Sequence, residues 1–181
     1  MNPQEHSCFS MMRNTNVVFC SALEQLKKEH IPLTKQMEEF YELTQEIEND
    51  GAAANIENIM NELHEKIKAF VSELEPHSER EEGVLFPMMV PYIGRESGPI
   101  AVMEYEHDEA KKQLKHFLAQ MEKAERALTM KKAKELANFA SQAYLILSEH
   151  FMKEENVLFP LANRLLSIEE KEELQSKINA I

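Results

Sequence analysis

The chain has 181 residues, enough for a domain with a real core, and 32 acidic against 20 basic residues leave a formal net charge of −12. That balance argues against a nucleic-acid backbone or an anionic membrane surface as partner. No run of about 18 apolar residues occurs, so no transmembrane helix is expected, and the polar stretch Met1–Asn16 lacks a signal-peptide pattern, which makes a cytoplasmic protein the expectation.

Apolar residues recur at alternating spacings of three and four, the signature of helices facing a bundle core. The first helix is expected from about Asn14 to Asn49. Its seam is Phe19, Leu23, Leu26, His30, Leu33, Met37, Phe40, Thr44 and Ile47, and Asn49-Asp50-Gly51 stops it. The second starts near Asn55, with a seam of Met60, Leu63, Ile67, Phe70, Leu74, His77, Glu81 and Val84. Pro87, Pro91 and Gly94 then break it up.

The third begins after Ser97-Gly98-Pro99 and presents Met103, His107, Ala110, Leu114, Phe117, Met121, Ala124 and Leu128. The fourth starts near Met130 and presents Leu136, Ala140, Ala143, Leu147, His150, Glu154, Val157 and Leu161. A short tail helix follows, capped by Ser167 and Glu170. No strand pattern appears. The expected fold is all-α, an up-down-up-down antiparallel four-helix bundle in a single domain spanning 1–181, with its core bundle at about 14–166.

The halves are repeated. His77-Ser-Glu-Arg-Glu81-Glu-Gly-Val-Leu-Phe-Pro87 returns 73 residues later as His150-Phe-Met-Lys-Glu154-Glu-Asn-Val-Leu-Phe-Pro160, with seven of eleven positions identical. His30 and His107 hold matching seam positions 77 residues apart. His and Glu four residues apart share one helix face.

The polar residues interrupting the four seams are His30, His77, Glu81, His107, His150 and Glu154, with Thr44 the only other. Six ionisable groups facing one core are costly unless something pairs them. Metal ions are the obvious partner, since imidazole suits Fe, Zn, Cu and Ni, and carboxylates bridge two ions. Four His and two Glu overfill one tetrahedral zinc. They suit two octahedral irons bridged by both carboxylates and a solvent-derived oxo or hydroxo group, with about two coordination positions left for a small ligand. Neutral imidazoles dominate this set. Reversible redox, O2 or NO binding, or iron handling is therefore expected rather than the oxidative chemistry of carboxylate-rich di-iron sites.

Other groups have plainer readings. Cys8 and Cys20 are expected to be two reduced thiols. His6, His64 and His116 lie off the seams and read as surface residues. Glu82 and Glu155, one position beyond the seam Glu, read as solvated or as carboxylates orienting a ligating imidazole. Pro32 and Pro76 sit beside His30 and His77 as kinks. Phe86-Pro87 and Phe159-Pro160 are expected to pack the bundle end. Tyr105 and Tyr144 are expected to pack rather than to reach the site.

Glu29-His30, His77-Ser-Glu-Arg-Glu81-Glu with Leu85-Phe86-Pro87, Glu106-His107-Asp108, and His150-Phe-Met-Lys-Glu154-Glu with Leu158-Phe159-Pro160 resemble the hemerythrin-like (HHE cation-binding) domain family. The resemblance covers about Asn14 to Leu166. It implies that His30 and His77 ligate one iron, His107 and His150 the other, and that Glu81 and Glu154 bridge. Oxygen-carrying members have a fifth His where Lys111 stands, and an Asp five residues after the last His, where this chain has Glu154 at four. The pattern is more similar to that of di-iron proteins for repair of iron centres. That likeness implies an N-terminal Cys-pair domain which Cys8 does not supply. The function expected is a non-haem di-iron protein that binds or senses O2 or NO, or handles iron in stress repair. A redox or iron-acceptor protein is its expected partner. The alternatives are an enzyme reducing NO or peroxide, and a regulatory iron sensor.

Overall fold

The computed structural model describes residues 18–49, 55–123 and 128–181. Four long helices dominate: α1 (Ser21–Glu48), α2 (Ile56–Arg80), α4 (Pro99–Glu122) and α5 (Met130–Lys153). Two short ones, α3 (Phe86–Ile93) and α6 (Phe159–Leu165), continue α2 and α5 through five-residue π-helical turns, Glu81–Leu85 and Glu154–Leu158. Helix α7 (Ile168–Ile178) closes the chain. No strand occurs among the described residues.

Cross-helix contacts give the directions. Glu39 meets Lys66 while Glu29 meets His77, so α1 and α2 run antiparallel. His116 packs on Phe139 while His150 meets Glu106, so α4 and α5 do too. Tyr41 stacks on Tyr144 while His30 stacks on Phe151, which sets α1 against α5 in the same way.

Local chemistry explains the ends. Residues 18–20 are not helical, so α1 starts later than the expected Asn14; the part of that expectation on residues 14–17 lies outside the described residues. The reason is tertiary. Asn163 on α6 accepts from the Cys20 backbone N–H and donates to the Val18 carbonyl, holding this segment extended. Thr129 caps α5 by accepting from the Lys132 N–H. Ser167 and Glu170 form the full capping box of α7. Gly94 ends α3 at φ 73°, a conformation that favours glycine. The expected stop at Gly51, and Ala124 in the third seam, lie outside the described residues.

Pro87 does not break the second helix. In a regular α-helix its ring would strike the carbonyl four residues back. Here the Phe86 N–H reaches back five residues to the Glu81 carbonyl, and the wider turn makes room. Phe159 does the same to Glu154 just before Pro160. Leu85 and Leu158 are both buried at these turns; Val84 is buried too, where α7 packs against its turn, whereas Val157, expected in the core, is 50 % exposed.

The buried layer divides in three. Leu33, Met37, Phe40, Phe70, Leu114 and Leu147 belong to one apolar cluster, and Leu23, Leu26, Phe86, Met103 and Phe159 to a second. Along each long helix the His or His–Glu positions fall between the two. Each fully buried large side chain contributes about 1.5–3 kcal/mol relative to exposure, so the two apolar plugs can carry a costly polar layer between them.

Candidate metal centre

All six polar seam residues are buried, none more than 2 % exposed. Their rings and carboxylates converge from four helices. The His30 and His77 ring centroids lie 4.9 Å apart, and those of His107 and His150 lie 4.3 Å apart. The Nε2 atoms face the two carboxylates. His77 and His107 approach Glu81 at 3.4 and 3.6 Å, and His150 and His30 approach Glu154 at 3.1 and 3.3 Å. Each carboxylate thus touches one His from each half of the chain.

The opposite ring nitrogens are all held. Nδ1 of His30 meets Glu155 at 2.9 Å, and that of His77 meets Glu29 at 2.9 Å. Nδ1 of His107 meets Glu82 at 2.6 Å, and that of His150 meets Glu106 at 3.1 Å. An ionised carboxylate can only accept. Each Nδ1 therefore carries a proton and each Nε2 is aimed at the two carboxylates, the orientation that metal ligation requires.

A ring of cations backs the ring of carboxylates. Arg80 lies 3.5 Å from Glu29, Lys27 lies 3.6 Å from Glu155, Lys111 pairs with Glu82 and Lys153 with Glu106. Lys111 supports the carboxylate that orients His107. Burial pushes Glu82 up, but the His107 hydrogen bond and the Lys111 ammonium outweigh it and hold the carboxyl at about 2. Glu29 and Glu106 are lowered for the same reasons, against the opposing effect of burial.

At the centre the electrostatics reverse. Burial drives the Glu81 carboxyl well above the ordinary range, and the neighbouring Glu154 carboxylate adds to it. Burial lowers His77 and His107. His150 is also pulled down by burial, yet the Glu154 charge beside it raises it to about 9. Protons alone therefore pair these groups unevenly.

The donors fit metal ions. The Nε2 atoms of all four His and all four oxygens of Glu81 and Glu154 are buried and make no well-aligned hydrogen bond among the described residues, although His150 and His30 come within 3.1 and 3.3 Å of Glu154. They form two sets, His30–His77–Glu81–Glu154 and Glu81–His107–His150–Glu154, within each of which the ligand atoms lie no more than 4.8 Å apart. Two imidazoles and two shared carboxylates per set suit transition-metal ions.

Other groups fall outside the cluster. Tyr105 is 66 % exposed. Tyr144 stacks on Tyr41 at 4.0 Å, well along the bundle. His116 is exposed, but His64, read as a surface residue, is half-buried against Glu65. Cys20 is a free thiol, while Cys8 and His6 lie outside the described residues. A groove of about 280 Å³ between Pro32 and Pro76 reaches from the surface to Glu29 and His77. The roles of Glu29 and Glu106 were missed in the sequence. The signal was there: the same acidic residue precedes His30 and His107.

Comparison with known proteins agrees with this picture. Residues 21–173 match the model described as the hemerythrin HHE cation binding domain. The chain is 38% identical over 109 residues to the iron-sulfur cluster repair protein YtfE of Salmonella schwarzengrund (strain CVM19633), covering 58% of this chain and 49% of the relative. The proteins of the same name from Salmonella paratyphi B and Salmonella newport match with the same identity and coverage. The match thus spans about half the length of these curated relatives. No solved structure matches significantly.

Proposed function

Since the chain belongs to the hemerythrin HHE cation-binding domain family, we propose that it is a non-haem di-iron protein that binds or senses O2 or NO, or handles iron in oxidative or nitrosative stress and the repair of iron centres. His30 and His77 would hold one iron, His107 and His150 the other, with Glu81 and Glu154 shared between them. Bound iron would supply a redox-active, Lewis-acidic centre able to take a small ligand. The chain's own residues orient four imidazoles through carboxylates and bury the centre between two apolar plugs.

The observation that carries this reading is the convergence of four unpartnered Nε2 atoms on four unpartnered carboxylate oxygens in a fully buried layer. A buried polar group without a partner is rare in native proteins. Here eight such atoms face one another from two matching halves. The repair role is supported by the name of the relatives.

Two measurements test it. Metal analysis with an optical spectrum of the purified protein should give two irons per chain and absorption from bridged iron. The iron-loaded protein should also restore an NO-damaged [4Fe–4S] dehydratase, where the iron-free protein does not. Equal recovery with both forms removes the repair role. Anaerobic NO then distinguishes binding from enzymatic reduction: retained NO supports binding, and release of nitrous oxide supports turnover.

A further inference from the structure

The two halves of the centre differ at one buried position. His77 is followed by Ser78, and His150 by Phe151. Both side chains are buried, Ser78 to 1 % and Phe151 to 4 % exposure. Phe151 stacks on His30 at 4.1 Å with the rings 10° from parallel, and its edge lies 5.8 Å from His77, centroid to centroid. It therefore walls the His30 side of the centre.

Ser78 holds the matching place on the other side. Glu155, four residues beyond Phe151, reaches His30, the same ring that Phe151 covers. Glu82, four residues beyond Ser78, reaches His107. Residues four apart share a helix face, and both intervals enter the same kind of wide turn. By the match of the two halves, Ser78 takes the place toward His107 that Phe151 takes toward His30; the Phe86 ring lies 5.7 Å from His107, centroid to centroid. A two-atom side chain stands where the other half has a phenyl ring.

The hydroxyl itself is orphaned. Ser72 and Thr44 return their hydroxyls to helix carbonyls, those of Ala69 and Tyr41, at 2.7 Å. Ser78 Oγ has no hydrogen-bond partner among the described residues. Buried hydroxyls are ordinarily satisfied.

We propose that Ser78 is the hydrogen-bond donor to a di- or triatomic ligand at the His107–His150 metal position, and that Phe151 closes the corresponding position beside His30. The inference rests on the di-iron reading. It makes the two metal positions unequal: a hydroxyl at Ser78 on one side, a phenyl ring stacked on His30 on the other. The ligand class it selects has a free end that accepts a hydrogen bond.

Azide is the probe, added to the iron-loaded full chain after its iron content has been measured. The wild type should bind one azide per two irons, and the infrared stretch of bound azide should shift between H2O and D2O. Ser78→Ala should weaken azide about tenfold, the scale of one hydrogen bond to an anion, and abolish the isotope shift. Ser78→Thr, which keeps the hydroxyl, should retain the shift. An unchanged affinity and isotope shift in Ser78→Ala, with two irons still bound, overturns the proposal. A wild type that takes up no iron instead overturns the di-iron reading and this inference with it.

Discussion

Glu155 accepts the Nδ1 proton of His30 at 2.9 Å across 125 positions of sequence. The pair joins the two halves of the chain, and Glu82 with His107 joins them again in the opposite direction. Glu29 and Glu106 work within their own halves, on His77 and His150. Each half therefore orients one of its own imidazoles and one of its counterpart's.

Removing a crossing carboxylate should weaken metal retention. Glu155→Ala takes away the acceptor that fixes the His30 tautomer. A loss of about 10–100-fold in affinity is expected from such an outer partner, with helix content unchanged. Competition with a chelator of known affinity measures it. Retention equal to wild type would mean that Glu155 does not orient His30.

The bridging carboxylates have opposite effects on metal-free and loaded protein. Two buried carboxyls facing each other destabilise the metal-free fold, and burial raises the Glu81 carboxyl well above its ordinary range. Glu81→Gln should leave the melting temperature of the metal-free protein unchanged or raised, while preventing full iron loading. Glu81→Ala and Glu154→Ala should also lose antiferromagnetic coupling between the irons. Full coupling in those variants would remove the bridging assignment. His77→Ala and His150→Ala should lower iron content.

Away from the metals, the apolar plug carries the fold. Phe40 and Phe70 are fully buried, with ring centroids 5.3 Å apart. Phe70→Ala should cost about 3–5 kcal/mol by loss of burial and the cavity left behind. Denaturant unfolding of the iron-free protein reads this directly. A loss below about 1 kcal/mol would contradict the packing described.

Acid should loosen α7 before the bundle. Glu170 is lowered by the Ser167 backbone N–H and then by the Tyr92 hydroxyl. A carboxyl lowered on folding stabilises above its unfolded value of about 4.3, and that contribution disappears as pH falls through its folded value. The α7 amides should therefore exchange faster below pH ~4, and Glu170→Gln should remove the dependence. Because the Ile178 carbonyl accepts from Arg80, which pairs with Glu29, the same loss should relax the hold on His77.

Periodicity carried most of the fold. The seams of α1 and α4 were legible because a regular helix repeats its buried face by local geometry alone. At Val157 the same reasoning failed although its counterpart Val84 is buried as expected, because α7 packs against the wide turn that carries Val84 and periodicity does not reveal where a later helix docks. Glu82 and Glu155 could be placed near the centre but not given a partner, because their imidazoles lie on other helices.

By itself, the chain's order of residues determined that six ionisable side chains would interrupt four apolar faces in two matching sets. Spacing of i and i+4 on one helix suffices for that. Only the tertiary structure decided which carboxylate holds which imidazole, and that the Phe151 ring stacks on His30. Those relations depend on how helices pack and where the wide turns shift them, and no local pattern encodes the distance between two helices.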